Sequence, residues 1–373
     1  MLLTALALFA LPATPADTLE ATLAARLEAY RAASGAPGVV LGLARANGQV
    51  IAVAAGQSDT ALRRAMRADD MLLMGSVGKT YVAATALQLA REGKLELDAL
   101  AAKYVGGQGW FDSLPNASAI TVRHLMSHRS GLVRYEFKPE FTAALTASPD
   151  KAWDPRDQVR FLHGSAAPFA AGAGWDYSDT NYLVLALILE RITGTPIDEE
   201  IRRRFLEPQR LIRTVPSDAQ VLPGVVQGYA GSNNPFGGSD GMWRDNRMVI
   251  NPQFEGAGGG YAASAGDAAR WGALYFSGQL FGEAMLTEAL KGTPAPNLGP
   301  GTQYGLGMIL RDSTAAGPVR SHSGFFPGYI TELRHYPAHG VTVAVIVNAS
   351  NVRMRPAMAR WLDELVAEVI APH

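Results

Sequence analysis

The segments that read as β-strands lie at the two ends of this sequence, and the long stretch between them reads mainly as helix. Residues 39–46 and 50–55 are apolar runs joined by Asn47-Gly48, a strong hairpin turn signal. Residues 329–336 and 341–347 are β-rich runs separated by Pro337-Ala338-His339-Gly340, a second hairpin. The simplest architecture is an α+β protein whose sheet is built from both termini. Residues 17–75 and 300–373 then form the sheet domain, and residues 76–299 a mainly helical inserted domain. A cleft between the two is the default binding site.

Helical periodicity fills in the rest. Leu19, Leu23, Leu27 and Tyr30 share a face of a helix over residues 17–33, which Gly35 and Pro37 stop. Residues 76–92 read as a helix apolar almost all round, so a charged Lys79 in its first turn is conspicuous. Residues 181–193 and 267–278 are further helices, and residues 355–370 an amphipathic closing one. Residues 224–260, rich in Gly, Asn and aromatics, read as long loops.

Composition removes several classes. With 48% hydrophobic residues among 373, the chain has material for a large core and is not disordered. The 33 basic and 34 acidic residues leave a net charge of −1, which argues against an electrostatic grip on nucleic acid or anionic lipid. Cysteine is absent, which excludes disulfides, thiolate chemistry and cysteine-ligated zinc. The seven histidines are scattered along the chain, and no metal site is expected.

The first eleven residues are an apolar run too short to span a bilayer, followed by Pro12-Ala13-Thr14-Pro15-Ala16. This is the layout of a secretory signal peptide over residues 1–16, although only the α-amine supplies charge before the apolar core. A buried N-terminal helix is the alternative. The leader predicts a periplasmic or secreted product. No lipidation cysteine and no later membrane-length run accompany it.

Three short stretches could carry chemistry. Ser76-Val77-Gly78-Lys79 places a hydroxyl and an amine nearly one helical turn apart, on one face. A serine needs a base to become a nucleophile, and a lysine can be that base if its pKa is lowered. With 19 serines and 6 lysines, chance supplies about 0.3 such spacings, so the place at the mouth of an apolar helix is what raises this one. An N-cap serine with a snorkelling lysine is the bland alternative. Trp175-Asp176-Tyr177-Ser178-Asp179-Thr180 precedes an apolar helix; Tyr177 could shuttle a proton, and Asp179 or Thr180 could simply be helix caps. Ser321-His322-Ser323-Gly324-Phe325 enters the C-terminal strands, where His322 offers a proton near neutral pH or is only a turn histidine.

Together, in this order and spacing, the three stretches resemble the Ser-x-x-Lys, Tyr-x-Asn and Lys/His-x-Gly elements of the penicillin-recognising serine hydrolases. The branch they look like holds class C β-lactamases, D-alanyl-D-alanine carboxypeptidases, D-aminopeptidases and esterases. The flanks 121–132, 93–98, 304–308 and 327–329 are similar to that family too, and the resemblance runs from about residue 20 to 370. It implies a β-lactamase/transpeptidase-like fold, an antiparallel sheet flanked by helices. Ser76 would be the acylated nucleophile, Lys79 its activating partner and Tyr177 a proton relay. The backbone N–H groups of Ser76 and Phe325 would form the oxyanion hole, and His322, Ser323 and Gly324 would line a strand edge for substrate. No cofactor is implied.

Two positions depart from the pattern. Asp179 stands where the family has asparagine; a carboxylate there would pair with Lys79 and raise its pKa. His322 replaces a permanent cation, which points to the carboxypeptidase and D-aminopeptidase side rather than to β-lactam hydrolysis. The expectation is an exported serine hydrolase for small amides or esters, D-alanyl cell-wall peptides first. A carboxylesterase is its rival, and a silent binder of peptidoglycan fragments a reading from another class. His128 is expected to hold a loop by hydrogen bonds, and residues 258–260 to form a tight wall near the cleft.

Overall fold

In the computed structural model, residues 15–231, 234, 236, 240–350 and 354–370 are described, so the expected leader lies almost wholly outside the described residues. Among them, nine strands form one antiparallel sheet: β1 (Gly38–Arg45), β2 (Val50–Asp59), β3 (Arg64–Ala65), β4 (Thr293–Pro294), β5 (Thr302–Tyr304), β6 (Ile309–Arg311), β7 (Val319–Phe326), β8 (Tyr329–Tyr336) and β9 (Val341–Val347). The order is β3-β2-β1-β9-β8-β7-β6-β5-β4. The two ends of the chain meet where β1 pairs β9, from Val39 opposite Val347 to Arg45 opposite Val341. The sheet expected from both termini is present.

Every residue of β9 is buried, which its run Val-Thr-Val-Ala-Val-Ile-Val, apolar but for Thr342, predicts for a strand covered on both faces. One face carries Val39, Leu41, Leu43, Val343 and Val345 against Leu23 and Leu27 of helix α1 (Pro15–Ser34) and Met358 and Leu362 near the C-terminus. The other face carries Val40, Ala44, Leu333 and Ile346 against a cluster that includes Ala268 and Trp271. Those two belong to a helix over Ala265–Phe276, which lies within the central stretch by sequence and on the sheet by packing.

The central helix α2 (Lys79–Arg91) is buried along most of its length, Tyr81, Val82, Leu87 and Leu89 included. Each such side chain contributes roughly 1.5–3 kcal/mol. That sum tolerates a buried Lys79 only if its charge is matched, because an unpaired ion costs several kcal/mol. Ser76 is not part of the α-helix. It sits in a 3₁₀ turn, Gly75–Gly78, that leads into α2. Helix α3 (Thr180–Thr193) packs beside α2 and ends at Gly194, whose φ of 72° is the left-handed conformation a glycine cap supplies.

Candidate active site

The 3₁₀ turn decides how Ser76 and Lys79 meet. With three residues per turn, side chains three apart eclipse one another. Lys79 Nζ accordingly donates to Ser76 Oγ at 3.2 Å. The same ammonium donates to Asp179 and to the Gly258 carbonyl oxygen, so all three of its hydrogens are used. Lys79 itself is fully buried.

Asp179 occupies the N-cap position of α3 but makes no cap hydrogen bond. One carboxylate oxygen takes Lys79; the other takes Arg134 Nη2 at 2.9 Å. Arg134 Nε donates in turn to Glu136 Oε1 at 2.6 Å. The pairing of Asp179 with Lys79 expected from the sequence is therefore present, with a second cation behind it. Burial alone would pull the lysine pKa down, but the Asp179 charge and Tyr177 more than reverse this and the net direction is up. Burial works against the Asp179 anion, yet Lys79, Glu136 and Arg134 hold its carboxyl well below the usual range. Glu136 moves the opposite way, raised first by burial and then by the Asp179 charge. Glu255 is pushed up to about 8 by burial, with Asp179 adding and Lys79 opposing.

Tyr177 lies across this cluster. Lys79 Nζ is 4.9 Å from its ring centroid and the Arg134 guanidinium carbon 5.5 Å. Its buried hydroxyl closes no hydrogen bond of good geometry among the described residues. Burial raises its pKa, while the Lys79 ammonium and the Ser76 hydroxyl ease ionisation. His128 supports the ring from behind, centroids 4.2 Å apart. Its Nδ1 accepts from the Ser178 N–H at 3.2 Å and faces Asn181 Nδ2 at 3.1 Å, which ties its loop to α3. Two donors on Nδ1 place the ring proton on Nε2, and burial with the nearby Lys79 drives the pKa well below 6.5. His128 thus holds the loop as a neutral ring, as expected.

The glycines act through close approach. A Cβ on Gly324 would stand 1.7 Å from the Met74 carbonyl oxygen and 3.4 Å from Ser76 N. Only a bare backbone lets the end of β7 press against residues 74–76, and this brings the Phe325 and Ser76 backbones together. Gly259 likewise lies against Gly75, a Cβ there being 2.8 Å from its carbonyl carbon, so residues 258–260 do form a wall of the site. Phe325 itself is 37% exposed beside the nucleophile.

His322 is fully buried. Its Nδ1 lies 2.8 Å from the Ser323 carbonyl oxygen and its Nε2 3.0 Å from the Tyr304 hydroxyl. Its ring centroid is 6.4 Å from that of Tyr177, and an acid–base role would require it to give up one of these contacts. Beside it, β6 pairs with β7 from Val319 to Ser321, and β7 pairs with β8 from Arg320 to Phe326. Arg134, Glu136, Glu255 and Tyr304 are the neighbours the sequence reading missed. A signal existed for two of them, since Arg134 and Glu136 interrupt the apolar, aromatic run 132–137. Among the described residues no group of three or more His, Asp or Glu could hold a metal ion.

This fold, a flanked antiparallel sheet with Ser76, Lys79 and Tyr177 meeting at its edge, is β-lactamase/transpeptidase-like. It is similar to that of a D-amino acid amidase from Ochrobactrum anthropi SV3 solved with L-phenylalanine amide, with a TM-score of 0.79 at 22% identity over 93% of this chain and 98% of that one. A D-stereospecific amidohydrolase from Streptomyces sp. gives a TM-score of 0.76 at 25% identity, covering 89% and 94%. The Beta-lactamase family profile matches residues 23–368, and the chain belongs to that family. Among characterised relatives, esterase EstB of Burkholderia gladioli is 27% identical over 82% of this chain and 84% of its own length. Penicillin-binding protein 4* of Bacillus subtilis is 24% identical over 79% of this chain, but the match spans only 64% of that relative.

Proposed function

We propose that this Beta-lactamase-family hydrolase works through an acyl-enzyme on Ser76, releasing an amine or alcohol first and the acid after water attacks. The observation that carries this reading is the 3.2 Å contact between Ser76 Oγ and Lys79 Nζ beneath the Tyr177 ring. Ser76 Oγ adds to the substrate carbonyl, and the oxyanion is received by the N–H groups of Ser76 and Phe325. Lys79, kept as an ammonium by Asp179, stabilises the developing alkoxide, and its deprotonated fraction, which acts as base, grows with pH. Tyr177 carries the proton to the leaving group and takes one from water in deacylation.

Within that chemistry the geometry favours amides and esters without a carboxylate next to the scissile bond. Lys79 and Arg134, the two cations that meet Tyr177, are both committed to Asp179, and Glu136 and Glu255 add acidic groups beside them. A carboxylate-ended D-alanyl peptide or a penicillin would find neither of these two cations free to receive it, whereas an ester or amide without that carboxylate needs none. The relative described as an esterase supports this reading, and the one described as a penicillin-binding protein supports the D-alanyl alternative. Export belongs to the reading through residues 1–16, and the N-terminal sequence of the mature protein tests it.

Intact-mass spectrometry tests the core of the proposal. Wild type and Ser76→Ala are incubated with p-nitrophenyl butyrate, D-phenylalanine amide and benzylpenicillin, with product release followed in parallel. The expected result is ester and amide turnover by wild type alone, with little penicillin adduct. No acylation and no turnover with any of them would overturn it and leave the silent binder, which the Lys79–Asp179 pair also permits. A persistent penicillin adduct would return carboxylate-ended D-alanyl peptides to first place.

A further inference from the structure

Asp179 is a departure that this chain must accommodate. A carboxylate in place of a neutral amide adds a full negative charge one hydrogen bond from Lys79. Left alone, it would hold the lysine proton more tightly than a base or relay can use. The structure shows the charge divided. One oxygen of Asp179 meets Lys79, and the other receives Arg134 Nη2 at 2.9 Å, while Arg134 Nε is anchored on Glu136 Oε1 at 2.6 Å. The guanidinium is braced on a third side by Phe137, 4.1 Å from its ring centroid.

We propose that Arg134 is a positioning residue of this site: it fixes the outer oxygen of Asp179 so that the inner one stays on Lys79, and by sharing that carboxylate it limits how firmly Lys79 keeps its proton. The proposal rests on the acyl-enzyme reading given above. A planar guanidinium can do this where a lysine cannot, because two of its N–H groups engage two different carboxyls in a fixed fork. Removing it acts twice in the same sense. Asp179 then directs its whole charge at Lys79, and a cation that disfavours the lysine proton is gone.

Other groups face the same atoms. Lys79 is met by Asp179, Tyr177 and Glu255 and by the neutral His128; Asp179 is met by Lys79, Arg134, Glu136, Glu255 and Tyr135. The test therefore isolates the pair by a double-variant cycle. The rate at which a fluorophosphonate labels Ser76 is followed from pH 6 to 10 in wild type, Arg134→Met, Arg134→Lys, Asp179→Asn and the Arg134→Met/Asp179→Asn double variant. Arg134→Met should move the midpoint of the rising limb up by about one pH unit and slow labelling at pH 7 about tenfold. Arg134→Lys should restore much of the midpoint but not the full rate. Asp179→Asn should move the midpoint down, and in that background Arg134→Met should shift it less than half as far.

Equal shifts with and without Asp179, or an unmoved profile in Arg134→Met, would overturn the proposal. If Arg134→Met fails to fold, the Arg134→Lys and Asp179→Asn profiles decide the same question, since the proposal requires opposite signs of midpoint shift for loss of the carboxylate and for weakening of the fork. Wild type that is never labelled would overturn the acyl-enzyme reading itself, and Arg134's role with it. That outcome is distinct from labelling whose pH profile ignores Arg134.

Discussion

Two buried ionic networks sit on opposite sides of this molecule, and they are built to different rules. Beneath the sheet, Arg334 of β8 meets Asp363 at 3.0 Å and Glu332 at 3.6 Å, and the Tyr336 hydroxyl donates to Asp363 at 2.9 Å. One cation is wrapped by carboxylates and a hydroxyl between a strand and the C-terminal helix, with Arg334 only 2% exposed. At the candidate site, Lys79 and Arg134 share Asp179, and one oxygen each of Glu136 and Glu255 and the Tyr177 hydroxyl close no hydrogen bond of good geometry among the described residues. The pairing beneath the sheet fixes a strand to a helix, with Arg334 Nη1 left 3.6 Å from Glu332 and without a hydrogen bond of good geometry among the described residues. The Tyr177 hydroxyl lies beside Ser76, where the reacting group would meet it, and each orphaned polar group costs about 1–3 kcal/mol. Both networks leave polar atoms short of a hydrogen bond, so what separates the structural network from the chemical one is where those atoms lie: Arg334 Nη1 between a strand and a helix, the Tyr177 hydroxyl beside Ser76 and Lys79.

Substitutions break this comparison most sharply at its extremes. Ser76→Ala removes the nucleophile that the cleft network serves; turnover of an activated ester should fall by about 10³-fold or more, with the urea midpoint unchanged. A residual rate within tenfold of wild type would mean the nucleophile lies elsewhere. Asp363→Ala does the converse. It leaves Arg334 buried with one distant carboxylate, so stability should drop by about 3–5 kcal/mol while kcat/KM of the folded fraction holds. Chemical unfolding with active-site titration separates the two quantities, and a stability loss under 1 kcal/mol would show that the network beneath the sheet is idle.

Tyr177→Phe lies between these limits. The hydroxyl closes no good hydrogen bond in the free site, so its loss should leave stability within about 1 kcal/mol. As a proton relay it should still cost about 10²-fold in kcat, read as a fall in kcat with little change in KM. A purely structural tyrosine would give the reverse, lost stability with kcat intact.

The sheet was legible because its evidence is local. Apolar runs of strand length, Asn47-Gly48 and the 337–340 turn each announce themselves within a few residues. The meeting of β1 with β9 then follows, since strands at the two ends have no nearer partner. Ser76, Lys79 and Tyr177 were legible as candidates because spacing and order carry them. Arg134, Glu136 and Glu255 were not. Their place beside Asp179 depends on the path of the loop before residue 139 and of the turn Pro252–Gly258, and neither has a periodicity to read. Asp179 shows the limit most clearly. The sequence foretold its pairing with Lys79, but the second cation that tempers the pair comes from 45 residues away. His322 was legible as a motif and not as a geometry, because only packing against Tyr304 turns both ring nitrogens away from a free role.

The smallest expected effect concerns Glu255, and it tests whether the cleft network carries a cost at all. Its carboxyl sits at about 8 in the folded protein, against 4.5 ordinarily, chiefly through burial. Below pH 4.5 the group is protonated in both states and costs nothing extra. Between 4.5 and about 8 the unfolded chain releases a proton that the folded one retains. Stability must therefore fall as pH rises through that window and level off above it. Glu255→Gln removes the titration, so urea midpoints measured from pH 5 to 8 should decline less steeply in the variant, with the curves converging at the acid end. Glu136, raised in the same direction, leaves part of the slope in place, and Glu136→Gln should remove a further share. Parallel curves for wild type and Glu255→Gln would mean that water or a counter-ion already compensates the carboxyl. The contrast with the Arg334 network would then be one of position rather than of stored electrostatic cost.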